Sequence, residues 1–381
     1  MTDLLKFFIL KNNITKMKNH LYYSVLIVLV IGCTHKDPNY IVVEYNSKAH
    51  LSLIDSIIYY SHKDNFIGNN RDIEVIDGRI YISDKSKTTI HVLNENMEYQ
   101  YSFGRYGEGP GEFTRAPYLT KHNDTLVIFD RPRKKLLFIN IKDTIVNRKI
   151  NLPAEYFYMV FDPVFINDRI IFAANNILLR ELNNEISKLT TVLITDKYGK
   201  PLGETSKLLN DYYENSELLY FARYNSANIS GGFDESFFSL QLATKKLQQF
   251  NEKGKLLKIY EYKPRFYEPP PNLKTNYAAN NMEEWYEKFY SKITFCYGMF
   301  FDDKANLLFL GYRKLHSKQY LTKSFLDADN YLYVLNEKGE CIFDEEIDGY
   351  LVSIDNCNLY ILKEETDKKL VINKYKLEIK D

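Results

Sequence analysis

The residues best suited to bind or to react gather in two short stretches. Gly104 to Phe113 reads Gly-Arg-Tyr-Gly-Glu-Gly-Pro-Gly-Glu-Phe. Together with Arg115 it carries Arg105, Tyr106, Glu108 and Glu112 on a backbone whose glycines allow repeated positive φ. Guanidinium, phenol and carboxylate groups so closely spaced are ligand-binding candidates. The second stretch is Asp130-Arg131-Pro132-Arg133, in which two guanidinium forks flank a proline and could hold a carboxylate or sulfate. Asp84 ends an equivalent run to Asp130, one repeat earlier. The two aspartates could line a polar pocket or join backbone carbonyls around a cation such as calcium, or simply accept hydrogen bonds from the following turn.

None of this completes a catalytic set. The glycine stretch leads into another strand-like run, not a helix, so it is not a dinucleotide or phosphate loop. Ser230-Gly231-Gly232 lacks the context of a nucleophile elbow. His50, His62, His91, His122 and His316 are scattered without metal-ligand spacing. The acidic pairs Asp302-Asp303 and Glu345-Glu346 fall at turns or strand ends, and two carboxylates can serve as acid and base only once a fold pairs them. Lys+Arg and Asp+Glu both number 50, so no basic field exists to attract nucleic acid. The 32 Tyr and 24 Phe favour strands, and aromatic faces also stack on sugars; Trp285 stands alone as a partner-contact candidate.

The elements that must position these residues are short alternating runs separated by turn signals, an all-β pattern. One unit recurs. Asp72–Ile76, the hairpin turn Asp77-Gly78, Arg79–Asp84, Thr89–Leu93 and Glu98–Phe103 form four antiparallel strands, one propeller blade. Further copies run Pro117–Leu152, roughly Val160–Glu204, roughly Ile229–Tyr262, and Thr294–Ile347, with a sixth from near Gly349 to Ile379. A turn carrying Lys and Gly recurs in one slot: Lys197–Lys200, Asn251–Lys255 and Asn336–Glu340. The sixth copy shows three strands, so an early strand within Leu51–Tyr60 is expected to complete it and close the ring. Ser206–Tyr224 and Asn280–Lys292 break the pattern with helix-like spacing.

At the N-terminus, Lys16, Lys18 and His20 precede the apolar run Leu21–Ile31, too short to span a bilayer. The run ends Leu29-Val30-Ile31-Gly32-Cys33, which resembles the lipobox of a bacterial lipoprotein, with Cys33 acylated. The expected organisation is a signal peptide over 1–32 (its true start alternatively Met17), a tether over 33–48, and a propeller over 49–381. Cys296, Cys341 and Cys357 are read as reduced, with a Cys341–Cys357 bridge as the alternative.

The strand pair Arg79–Asp84 and Ile90–Leu93, the Gly104–Phe113 motif, Pro117 and Cys33 together resemble the six-bladed β-propeller lipoproteins of Bacteroidetes, and more distantly the NHL-repeat and TolB-like propellers. The strong match covers Leu51–Leu152, and the glycine motif occurs once in full where NHL proteins repeat theirs. The resemblance implies a fold and an address in the bacterial cell envelope; with the lipid anchor, the expected place is the outer membrane, facing the periplasm or the surface. The residues favour a non-catalytic binding or scaffold module for a glycan, peptide or envelope protein. The alternative is a cation-assisted propeller hydrolase or lyase acting on carbohydrate or lactone. No resident cofactor is expected.

Overall fold

The structure, a computed structural model, describes residues 39–46, 48–61, 67, 70–142, 145–158, 163–176, 190–207, 227–241, 244–269, 287, 290–315, 326, 328–366 and 368–380. The chain falls into two units, Met1–Tyr40 and Ile41–Asp381. Of the first, only residues 39 and 40 are described. The second is a six-bladed β-propeller.

Each blade is an antiparallel sheet whose strands follow chain order from the axis outward. Blade one comprises Asn70–Ile76, Arg79–Asp84, Thr89–Leu93 and Tyr99–Phe103. Blade two comprises Tyr118–His122, Thr125–Asp130, Lys135–Asn140 and Val146–Asn151. Blade three has Val164–Ile166, Arg169–Asn176, Thr190–Asp196 and Pro201–Lys207, with Tyr156–Tyr158 also pairing on Arg169–Asn176. Blade four has Asn228–Gly231, Ser236–Leu240, Lys246–Asn251 and Leu256–Glu261; blade five has Thr294–Asp302, Leu307–Lys314, Asp329–Asn336 and Glu340–Ile347. Blade six takes Tyr350–Asp355, Asn358–Glu365 and Lys369–Ile379 from the C-terminus.

Its fourth strand is Ala49–Tyr60, paired antiparallel along Lys369–Ile379 from Lys369↔Tyr60 to Ile379↔Ala49. The expected closing strand is therefore present, and it joins the two ends of the domain as a ladder. The stretch before it is also paired: Val43 N–H donates to the Glu261 carbonyl, and Glu44–Tyr45 runs parallel to Glu340–Cys341. Part of the segment expected to be tether thus lies along the rims of blades four and five.

Alternating side chains explain the packing. Successive residues of a strand point to opposite faces, so every blade feeds two apolar layers. Val127 and Phe129 pack toward Ile170 and Phe172 of blade three, while Leu126 and Ile128 pack toward Ile90 and Val92 of blade one. Leu308 faces Phe238 of blade four, while Phe309 faces Leu351 of blade six. Among the described residues, one such cluster lies between each pair of neighbouring blades.

The recurring Lys-Gly turn has a physical cause. Asp196, Asn251 and Asn336 each accept, through Oδ1, the N–H groups two and four residues on, at 2.9–3.1 Å. That geometry places the residue between them at positive φ, which Gly199, Gly254 and Gly339 supply (φ 88°, 81° and 77°).

One expectation needs revision. Ser206 does not begin a helix; it is buried at the end of the strand Pro201–Lys207. Its hydroxyl joins Thr191, Ser239 and Gln248 in a polar network that fixes it there. The cysteines read as reduced are all free thiols, Cys296 and Cys341 buried and Cys357 half-buried. Residues 208–226 and most of 280–292 lie outside the described residues, which show a helical Glu287 and a short 3-10 turn at Tyr290–Lys292.

Candidate functional site at the channel mouth

The up-and-down order of each blade sorts its connections. Turns between first and second strands, and between third and fourth, emerge on one face. Turns between second and third strands, and the links to the next blade, emerge on the other. First strands neighbour one another around the axis. On the face where they end, a cavity of about 520 Å³ opens, lined by all six blades. That volume lies within the range of small-molecule sites, roughly 300–1,000 Å³.

Two carboxylates shape its rim by one device. Asp302 and Asp355 are the last residues of the first strands of blades five and six. Asp302 Oδ2 accepts the N–H of Cys357, in the hairpin turn of blade six, at 3.0 Å. Asp355 Oδ2 accepts the N–H of Gly78, at the same turn position in blade one, at 3.3 Å. Asp302 also caps its own turn, accepting the N–H groups of Lys304 and Ala305 at 2.9 Å. Ile76 and His122 end the first strands of blades one and two, so the device stops there.

Cationic side chains close over this rim. Lys121 of blade two reaches past blade one: its Nζ donates to the Ile354 carbonyl and lies 3.4 Å from Asp355 Oδ1. Lys304 Nζ donates to the side-chain carbonyl of Asn356. Deeper in, Glu74 Oε1 accepts from the Ser353 hydroxyl at 2.5 Å and from Val75 N–H at 3.0 Å. Burial pushes the Glu74 carboxyl up, against the opposing pull of Lys121.

The opposite wall is apolar, with Val164 and Phe165 from blade three, Ile229 from blade four and Phe301 from blade five. The His122 ring lies 4.4 Å from that of Phe165, centroid to centroid. Burial, then the Arg148 charge, lowers its pKa below 6.5 and favours the neutral imidazole at pH 7. Glu74, Asp77, Asp124, Asp302, Asp303 and Asp355 face the cavity against Lys121 and Lys304, an acidic balance in a chain of zero net charge. Among the described residues, no group of three or more His, Cys, Asp or Glu is placed to hold a metal ion.

The residues singled out from sequence lie elsewhere. None of Arg105, Tyr106, Glu108, Arg115, Asp84, Asp130, Arg131 and Arg133 lines the cavity; their loops emerge on the opposite face. There the glycine loop closes on itself. Phe113 N–H donates to the Arg105 carbonyl at 2.8 Å, and Arg105 Nε donates to Glu112 Oε1 at 2.7 Å. The Gly109 N–H, then Arg105, hold the Glu112 carboxyl below its usual range. Arg133 binds the buried Asp130 carboxylate and the carbonyls of Glu108 and Glu112, locking blade two to the loop. Asp84 caps its turn by accepting from the N–H groups of Ser86 and Lys87 and lies 3.2 Å from His91 Nε2. Half-buried Arg131 feels the positive charge of Arg115. Tyr106 is exposed. Cys33 and Trp285 lie outside the described residues.

A family model described as "6-bladed beta-propeller", DUF5128, matches residues 39–329. The chain belongs to this family. Solved structures share the DUF5128 propeller fold at low sequence identity. The crystal structure of a DUF4221 member from Bacteroides vulgatus is 11% identical, covers 87% of this chain and 99% of its own, and superposes with a TM-score of 0.61. A Bacteroides fragilis protein described as exported is 11% identical, covers 90% and 99%, and gives 0.52. No curated protein matches the sequence.

Proposed function

We propose that this DUF5128 propeller is an envelope lipoprotein, anchored through Cys33, that acts as a non-catalytic binding module with its ligand seated in the channel mouth. The observation that carries the reading is the state of the mouth's carboxylates. Asp302 and Asp355 are already bonded to backbone N–H groups of the next blade, so they hold a shape and a field and are poorly placed to shuttle protons. A cavity of about 520 Å³ suits a disaccharide- or tripeptide-sized portion of a glycan, peptide or envelope protein. Six carboxylates against two ammonium groups favour a neutral or cationic ligand over an anionic one. The lipobox-like run before Cys33 supports the anchor.

The anchor is tested by labelling with palmitate and by cell fractionation. Wild type should incorporate label and sediment with membranes, and Cys33→Ser should do neither; unchanged fractionation of the variant refutes it.

A second reading, a hydrolase or lyase, draws on the opposed behaviour of Glu74 and His122 within one cavity: one carboxyl pushed up, one imidazole pushed down. Screening lactones and aryl glycosides tests it. Turnover lost in both Glu74→Gln and His122→Phe would replace the binding reading.

A further inference from the structure

The exposed apolar surface is not spread evenly. Of the thirteen large apolar side chains that the described residues expose, six lie within residues 42–60: Val42, Tyr45, Leu53, Ile54, Ile58 and Tyr60. The last four sit on Ala49–Tyr60, the outermost strand of blade six, whose outer edge carries no further strand in the sheet. A twelve-residue edge strand bearing exposed aliphatic side chains is unusual, since edges of this kind are normally blunted by charge or covered. Tyr59 and Ile57, between them, are buried against blade one, so the strand is firmly seated while Leu53, Ile54, Ile58 and Tyr60 stay exposed, with His50, Asp55 and Ser56 the exposed polar residues beside them.

The position of this patch in the chain says what covers it. Seven residues, eight Cα-to-Cα steps, separate Cys33 from Ile41, where the second unit begins. Fully extended, the eight steps reach roughly 28 Å at most. From Ile41 the chain runs along the rims of blades four and five and then forms the rim of blade six. A lipid on Cys33 would therefore keep Ile41, where this rim begins, within roughly 28 Å of the acylated cysteine. Aliphatic side chains with a flanking tyrosine suit the boundary between headgroups and acyl chains.

We propose that the rim formed by residues 42–60 rests on the lipid leaflet that holds the acyl anchor. The inference builds on the lipid-anchor reading above. With its rim on the membrane, the disc stands edge-on and its axis lies along the membrane plane. The channel mouth then opens sideways, toward neighbouring envelope components, with neither face blocked by lipid.

Hydrogen exchange of the full-length mature protein, reconstituted into phosphatidylethanolamine–phosphatidylglycerol vesicles, tests this against the soluble Cys33→Ser protein. Amides of 49–60 should exchange at least threefold more slowly on vesicles, while those of the blade-two rim, Val146–Asn151, should not change. The pair Leu53→Asp and Ile54→Asp should abolish the slowing yet leave the protein on the vesicles. Equal exchange in both forms overturns the proposal. So does slowing of 49–60 in the soluble protein as its concentration rises, which would assign the rim to a second copy of the chain. If palmitate labelling fails, the anchor reading falls by itself. The rim is then read with the chain coupled through Cys33 to a maleimide lipid, and unchanged exchange at 49–60 overturns it there as well.

Discussion

The two faces of this propeller both carry bonded charged side chains and use them differently. On the glycine-loop face, Arg133, Asp130, Arg105 and Glu112 are spent on one another and on loop carbonyls. Their geometry closes the connection between blades one and two. On the channel-mouth face, Asp302, Asp355 and Lys121 are also bonded, but each reaches a blade other than its own, and the space they surround remains open. A conspicuous motif can thus be a seam, while the cavity is built from single residues at strand ends.

This contrast can be broken from the seam side first. Phe113 is buried at the centre of the glycine loop, its ring only 2.6 Å from where a Cβ on Gly104 would sit. Phe113→Ala should cost about 3–5 kcal/mol, read as a lowered denaturant midpoint, because it leaves a cavity between blades one and two. Arg133→Ala should cost roughly 2–3 kcal/mol, since it strands the buried Asp130 carboxylate and frees two loop carbonyls. Neither should alter ligand affinity at the mouth.

From the mouth side the stability effects are smaller. Ser353→Ala removes the hydroxyl that donates to Glu74 and accepts from Val75, and should cost about 1–2 kcal/mol. Glu74→Gln should act with the opposite sign at neutral pH. The Glu74 carboxyl is raised above 4.5 in the folded protein. Its contribution to stability is therefore full below that value and is lost as pH rises through the raised folded value. The glutamine keeps the accepting oxygen without the buried charge. The variant should be more stable than wild type at pH 7, with the gain fading in thermal melts as pH falls below 4.5.

The sequence carried the architecture well because blade repeats are local. Alternation, the Asp77-Gly78 hairpin and the Asx-based Lys-Gly turns are each set by a few adjacent residues, and the closing strand followed from counting three strands in blade six. The cavity was less legible because it is assembled from residues more than 200 positions apart, as Lys121 with Ile354 and Asp355 shows. One signal was present: a charged residue one or two places before the first hairpin turn of blades two, five and six, at Lys121, Asp302 and Asp355. The glycine motif drew attention instead, because unusual composition marks a strained or crowded backbone as readily as a binding site.

The central claim, that the ligand seats at the channel mouth and not on the glycine-loop face, is tested most directly by calorimetric titration with trilysine, triglycine, triglutamate, cellobiose and chitobiose. The account predicts that a neutral or cationic probe binds, that Asp355→Asn weakens it about tenfold, and that Arg105→Ala and Arg115→Ala leave it unchanged. Binding by none of these probes, preference for triglutamate, or loss of binding in the Arg105 and Arg115 variants would contradict it.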